Sequence, residues 1–126
     1  MTAAITGLYA AALAVLFLVL SARVIVYRRG NSISLGDAGD AVLLARIRAQ
    51  GNFVEYAPFG VLLLLIAEVQ GTAPIWLHLC GGLMLIGRVL HGVNFSCGIR
   101  NMMLRLGGML LTLIALGLGA ALCLPI

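Results

Sequence analysis

Residues Met1–Ala22, MTAAITGLYAAALAVLFLVLSA, carry no charged side chain, and a helix of this length can cross the hydrocarbon core of a bilayer. Two more uncharged runs follow, Val69–Gly87 and Leu106–Ile126. A fourth apolar run, Tyr56–Ala67, is too short by itself, but it can span a bilayer if its helix begins upstream, near Asp40. The sequence therefore predicts an all-α fold, an integral membrane four-helix bundle with up-down topology.

Composition separates this chain from soluble proteins. Of its 126 residues, 63% are hydrophobic and 10% are charged, and the mean hydropathy is +1.15. Soluble domains are about half apolar and about a quarter charged. All eight basic residues are arginine and form no basic run, so the net charge of +4 does not indicate a nucleic-acid partner. The length suits a single domain, residues 1–126, whose partner is the lipid bilayer.

The predicted helices begin and end at charged, polar or turn-forming residues. They cover Ala4–Tyr27, Asp40–Val69, Pro74–Phe95 and Met102–Leu124. Asp37 or Asp40 is placed to cap the second helix, and Pro58 is expected to kink it. Because the first run has no basic segment before it and is followed at once by arginines, we expect a membrane helix rather than a cleaved signal peptide.

Arginines mark one side of the predicted bundle. They cluster at the first and third connections, whereas both chain ends and the Gln70–Pro74 turn have none; the clustered residues are Arg28, Arg29, Arg46, Arg48, Arg88, Arg100 and Arg105. Loops rich in arginine face the cytoplasm in multi-pass proteins. We therefore expect both termini outside, in a multi-pass protein of a bacterial inner membrane.

Several other polar residues have simple interpretations. Four arginines near helix ends are expected to extend to lipid head groups, namely Arg23, Arg28, Arg29 and Arg46. Glu68 lies beside a turn and is expected to be solvated. The three cysteines, Cys80, Cys97 and Cys123, lie mostly within apolar runs, which favours a packing role, and no metal site is predicted.

The remaining polar residues lie inside predicted spans, where a charge costs about 2.5–3.5 kcal/mol and commonly marks function. Arg48, Asn52 and Glu55 share one face of the second helix because their spacing is i, i+4 and i+7. The third helix carries Arg88, His91 and Phe95 on one face, and Arg105 lies in the first turn of the fourth helix. One shared cavity lined by these groups would suit a ligand with carboxylates, an ammonium and amides, such as glutathione. The alternatives are interhelical polar contacts without a ligand and, for His91, simple packing.

Two segments carry a resemblance to a known family. The first segment is Arg48-Ala-Gln-Gly-Asn52-Phe-Val-Glu55-Tyr56-Ala-Pro58. It resembles the helix-two signature R-A-x-x-N-x-x-E of the MAPEG family, the membrane-associated proteins in eicosanoid and glutathione metabolism. Gly87-Arg88-Val-Leu-His91 is similar to the family's helix-three segment, G-R-x-x-H. The resemblance covers about Arg46 to Thr112. At the position of Phe95 the family often has tyrosine.

The resemblance implies a glutathione site and assigns residues to it. The implied glutathione-binding residues are Arg48, Gln50, Asn52, Glu55, Tyr56, Arg88 and His91. An arginine near the start of helix four stabilises the thiolate in relatives; Arg105 is the best match and Arg100 is the alternative. Relatives are homotrimers with glutathione between subunits, so a homo-oligomer is expected, with a trimer ahead of a dimer.

The implied function is glutathione S-transfer, or glutathione-dependent peroxide reduction, on a lipophilic small-molecule substrate taken from the bilayer. The alternative within the same fold is a non-catalytic protein that binds glutathione or lipid. A third hypothesis is a small multidrug transporter, which has a similar length and four helices. That class depends on an acidic residue in its first helix, and Met1–Ala22 contains none.

Overall fold

The computed structural model describes residues 2–124, and within this range the only regular elements are four α-helices. They are α1 (Ala4–Gly30), α2 (Ala41–Val69), α3 (Pro74–Ser96) and α4 (Met102–Leu122). All four are long and apolar enough to cross a membrane, which confirms the predicted all-α membrane bundle. α4 ends before the predicted Leu124 because the Leu124 amide bonds to the Ala121 carbonyl, three residues back, as in a 3₁₀ turn.

α2 and α3 form the centre of the bundle. Each of them contacts the other three helices, whereas α1 and α4 lie on opposite sides and do not contact each other within the described residues. Pro58 lies inside α2 without ending it, and the buried Cys80 thiol donates to the Ala115 carbonyl oxygen at 3.3 Å. The side chains that have to face a cavity between helices are therefore carried mainly by α2 and α3.

Two glycines allow α3 and α4 to approach closely. A Cβ atom built on Gly87 would lie 2.8 Å from the Gly108 carbonyl oxygen, and one built on Gly108 would lie 2.8 Å from the His91 amide nitrogen. Such contacts are closer than real Cβ atoms make, so only glycine fits at this crossing. The crossing brings the face of α3 that carries Arg88 and His91 next to α4.

Asp40, rather than Asp37, caps α2. Its Oδ1 atom accepts hydrogen bonds from the amides of Val42 at 2.9 Å and Leu43 at 3.0 Å, and its Oδ2 atom accepts one from the Tyr27 hydroxyl at 2.8 Å. The amide of Leu43 and the hydroxyl of Tyr27 together hold the pKa of the Asp40 carboxyl below its usual range. This carboxylate therefore ties the end of α1 to the beginning of α2.

The expectation that Glu68 is solvated is wrong. Its two carboxylate oxygens accept hydrogen bonds from the amides of Ile5, at 2.9 Å, and Thr6, at 2.7 Å. α1 has no capping side chain of its own, and the first amides of a helix need acceptors. Glu68 supplies them from the far end of α2, so this carboxylate joins α1 to α2 at the end of the bundle opposite Asp40.

Candidate functional site

A cavity of about 480 Å³, here called the inner cavity, opens between α2, α3 and α4. It is lined by Arg48, Asn52, His91, Phe95, Arg105, Leu106 and Met109. Four residues that the sequence marks as candidates, from three different helices, therefore line one cavity: Arg48, Asn52, His91 and Arg105. Its wall combines two guanidinium groups, an amide and an imidazole with apolar side chains.

Arg88 lies behind the wall of the inner cavity, not in it. Only 1% of its surface is exposed, and its guanidinium donates to Thr112 Oγ1 at 2.9 Å and to Asn52 Oδ1. The guanidinium carbon also lies 5.4 Å from the centre of the Tyr56 ring. Because the amide oxygen of Asn52 faces Arg88, its Nδ2 group is left to donate into the cavity. Arg88 thus acts by fixing the orientation of a lining side chain.

An aromatic stack joins α3 to α4 at the cavity wall. The His91 and Phe95 rings are stacked with their centroids 4.7 Å apart, and the Arg105 guanidinium carbon lies 5.3 Å from the centroid of Phe95. A guanidinium group over an aromatic ring is attracted to it electrostatically. Phe95 therefore positions the Arg105 guanidinium beside the cavity and leaves its N–H groups free to donate hydrogen bonds.

The other predicted ligand residues on α2 lie outside the inner cavity. Glu55 is exposed on the surface of the single chain, and Tyr56 is half-buried. Gln50 points towards α1, where its Nε2 atom donates to Ser21 Oγ at 2.9 Å. A carboxylate exposed halfway along a membrane helix is costly unless another group covers it. Glu55 therefore needs a partner that residues 2–124 of a single chain do not provide.

A second cavity of about 670 Å³, the outer cavity, lies at the end of the bundle where α2 and α4 begin. Arg100 lines this cavity and is absent from the lining of the inner one, whereas Arg105 and Phe95 belong to both. The structure thus separates the two arginines that the sequence left as alternatives. Among them, Arg105 is the one placed with Arg48, Asn52 and His91.

The expectation that Arg23 and Arg46 only extend to lipid head groups is wrong. Arg23 donates through Nη2 to the Ser96 carbonyl oxygen at 2.8 Å, and Arg46 donates through Nη1 to the Arg23 carbonyl oxygen at 3.0 Å. Arg46 also stacks on Tyr27, with 4.8 Å from its guanidinium carbon to the ring centroid. Both arginines line the outer cavity. Arg28, in the last turn of α1, donates to the Gly36 carbonyl oxygen in the loop that follows.

Sequence reasoning missed the buried polar residues of the outer cavity. Asn94 and Ser96 are 4% and 5% exposed, and the Asn94 Oδ1 atom accepts a hydrogen bond from the Asn101 amide at 2.7 Å. The sequence evidence that Asn94 and Ser96 line a cavity is weak, because an asparagine and a serine beside a loop usually bond to the loop backbone or face solvent. The spacing of Arg88, His91 and Asn94 along α3 places Asn94 on the same polar side and was the available signal.

The chain is similar to a family model over nearly its whole length and to known proteins over about three quarters of it. A family model described as the MAPEG family matches residues 6–125. The inner membrane protein YecN of Escherichia coli K12 is 35% identical over 91 residues, which cover 72% of this chain and 70% of that protein. YecN of E. coli O6:H1 matches with the same values. With four spans of membrane length, these similarities identify a multi-pass integral protein of the inner membrane.

Proposed function

Because this chain belongs to the MAPEG family, we propose that it is a membrane-bound enzyme that uses glutathione as its thiol substrate. The reaction is S-transfer to a lipophilic electrophile or reduction of a lipophilic peroxide. The observation that carries the proposal is the inner cavity, where Arg48, Asn52, His91 and Arg105 converge from three helices. Each of them can bind one of the polar groups that glutathione presents.

The donors of the inner cavity suit most of the tripeptide. Arg48 can bind a carboxylate in bidentate fashion, and the Asn52 Nδ2 group, oriented by Arg88, can donate to a peptide carbonyl oxygen. No carboxylate lines this cavity to receive the ammonium group. Glu55 is the only acid on the polar face of α2, and it lies just outside, on the exposed surface. Glutathione bound at the cavity mouth would reach it.

Arg105 supports a catalytic role for the site. The thiolate is the reactive nucleophile, whereas a free thiol titrates near pH 8.5 and is mostly protonated at neutral pH. A guanidinium group beside the sulfur favours the ionised form and lowers the pKa of the thiol. Phe95 holds the Arg105 guanidinium beside the cavity. In S-transfer, the thiolate would form a sulfur–carbon bond as the bond to the leaving group, or a bond of a strained ring, breaks, and the leaving group or opened ring would take up the proton that the thiol has lost. In peroxide reduction, two glutathione thiols would supply the two electrons and become a disulfide, and the peroxide would become an alcohol and water.

We propose that the protein works as a homo-oligomer, with a trimer ahead of a dimer. Arg48 and Glu55 are both exposed on the single chain, although they lie within a membrane-spanning helix. Contact with lipid tails would leave both charges unsatisfied, whereas a neighbouring chain could cover them and close the mouth of the inner cavity. Sedimentation of the detergent-purified protein distinguishes a trimer from a dimer.

The second candidate function is binding of glutathione or lipid without turnover. Phe95 favours it, because the family often has a tyrosine at this position, and phenylalanine has no hydroxyl group to bond to the ligand. An assay of thiol conjugation with a chromogenic electrophile separates the two functions. Conjugation above the uncatalysed rate supports the enzyme.

Glu55→Gln is expected to weaken glutathione binding about tenfold, because a hydrogen bond to a charged group contributes about 1.5–3 kcal/mol. The substitution keeps the shape of the side chain and removes only its charge. Calorimetric titration of the detergent-purified protein with glutathione measures the effect. Asp37→Asn is the matched control, because the side chain of Asp37 accepts a hydrogen bond only from the Gly39 amide in the first loop. Glu68 is unsuitable as a control since it caps α1.

Two results would contradict the proposal. The absence of saturable glutathione binding to the wild-type protein would exclude the glutathione site. Equal and small effects of Glu55→Gln and Asp37→Asn would remove Glu55 from it.

A further inference from the structure

The outer cavity is strongly basic. Four arginines line it, namely Arg23, Arg46, Arg100 and Arg105, and its lining contains no aspartate or glutamate. Across residues 2–124, none of the hydrogen bonds that arginines donate goes to a carboxylate. The closest acid along the chain, Asp40, is occupied by the amides of α2 and the Tyr27 hydroxyl. The Asp40 carboxylate interacts electrostatically with Arg46, but within residues 2–124 no carboxylate accepts a hydrogen bond from any of the four arginines, so the cavity keeps a net positive charge.

Helix termini add to the positive potential. The first residues of α2, Ala41 and Val42, and the start of α4 at Asn101 and Met102 line the same cavity. The N-terminus of a helix carries a partial positive charge of about half an elementary charge. At α2 this charge is offset by the Asp40 carboxylate that caps the helix, whereas the cap of α4, Asn101, is neutral. The four guanidinium groups, together with the start of α4, point to an anion as the natural occupant.

The walls of the cavity are held in place by internal hydrogen bonds. The buried Ser96 accepts from Arg23, and the buried Asn94 accepts from the Asn101 amide. One buried donor at this cavity has no partner: the Arg46 Nε atom makes no hydrogen bond within the described part of the chain. A buried donor of this kind is destabilising unless a ligand or water satisfies it.

The apolar side chains of the cavity indicate where the anion comes from. Val42 and Met102 line the cavity and are 50% and 60% exposed. Both stand at the start of membrane-spanning helices, which is the level of the lipid head groups. A lipid whose head group enters the cavity could place its acyl chains along these side chains. Guanidinium groups bind phosphate well because their paired donors match its oxygens.

We propose that the outer cavity is a binding site for a phosphate group, supplied by the head group of an anionic phospholipid of the adjoining leaflet. Arg100 and Arg46 contact the phosphate, and Val42 and Met102 contact the acyl chains. The site is distinct from the inner cavity, with which it shares only Phe95 and Arg105. It does not depend on glutathione binding.

Arg100→Gln is the variant that tests the site, because Arg100 is exposed in a loop and donates no hydrogen bond to other described residues, so the fold is expected to survive. Arg29→Gln is the matched control, an exposed arginine at the same end of the bundle and outside the cavity. Detergent-purified wild type and both variants are titrated with short-chain phosphatidylglycerol, with short-chain phosphatidylcholine and with inorganic phosphate. Binding is followed by native mass spectrometry and by the thermal unfolding midpoint.

We expect saturable binding of phosphatidylglycerol that Arg100→Gln weakens about tenfold, the size of one charge-assisted hydrogen bond, and that Arg29→Gln leaves unchanged. Phosphatidylcholine, which has no net charge, is expected to bind more weakly. Inorganic phosphate that binds as tightly as the lipid, with the same dependence on Arg100, would support the phosphate site and overturn its assignment to lipid. Equal binding of phosphatidylglycerol by all three proteins would overturn the site itself.

Discussion

Arg105→Leu is expected to slow glutathione conjugation about 100-fold or more, the loss typical when one group that stabilises a developing or reacting charge is removed. Leucine fills a similar volume and keeps contact with Phe95, but it cannot stabilise a thiolate. Glutathione affinity should change much less, because Arg48, Asn52 and Glu55 remain. Initial rates with a chromogenic electrophile, together with a calorimetric titration, separate the two effects.

Arg100→Leu tests the alternative assignment of the thiolate-stabilising residue. The position of Arg100 outside the inner cavity predicts a smaller loss of rate than for Arg105→Leu. The opposite order would contradict this account of the site. Arg29→Leu, which removes a charge at the same end of the bundle, should retain the rate of the wild type.

Gly108→Ala is expected to destabilise the protein by about 1–3 kcal/mol, the usual range for overpacking. The new methyl group would lie 2.8 Å from the Gly87 carbonyl oxygen and 2.8 Å from the His91 amide nitrogen, and neither backbone atom can move alone. α3 and α4 must therefore separate, which also moves His91 away from Arg105. The thermal unfolding midpoint in detergent and the conjugation rate should both fall.

Gly107→Ala is the control at the neighbouring position, where an added Cβ meets no atom within 4 Å. Alanine should stabilise the helix there by about 0.5–1 kcal/mol through its higher helix propensity. An unfolding midpoint for Gly108→Ala at or above that of Gly107→Ala would show that the crossing of α3 and α4 is looser than described.

The four helices could be predicted from the sequence because a membrane span has a simple physical signal. An apolar run of sufficient length must be helical in lipid, since its backbone has no other hydrogen-bond partners. The loops followed from Asp40, Pro74 and the polar segment 96–101. The orientation, with both termini outside, rests on the positive-inside rule and stays a prediction.

The candidate site could be predicted only in part. Helical spacing placed Arg48 and Asn52 on one face of α2, and the structure brings them to His91 and Arg105. The same spacing also grouped Glu55 with them, but spacing does not reveal which edge of the face a neighbouring helix covers. The Glu68 cap and the contacts of Arg23 depend on residues more than 60 positions away in sequence. No local pattern records such pairs.

The ultraviolet difference spectrum of bound glutathione shows whether the site ionises the thiol. The wild-type protein, saturated with glutathione near neutral pH, should show thiolate absorbance, although free thiols with a pKa near 8.5 are mostly protonated there. A decrease of the thiol pKa by about one to two units corresponds to roughly 1.4–2.7 kcal/mol, a reasonable effect for one guanidinium group beside the sulfur. A spectrum without a thiolate band, at a glutathione concentration shown by calorimetry to saturate the protein, would show that Arg105 does not stabilise a thiolate.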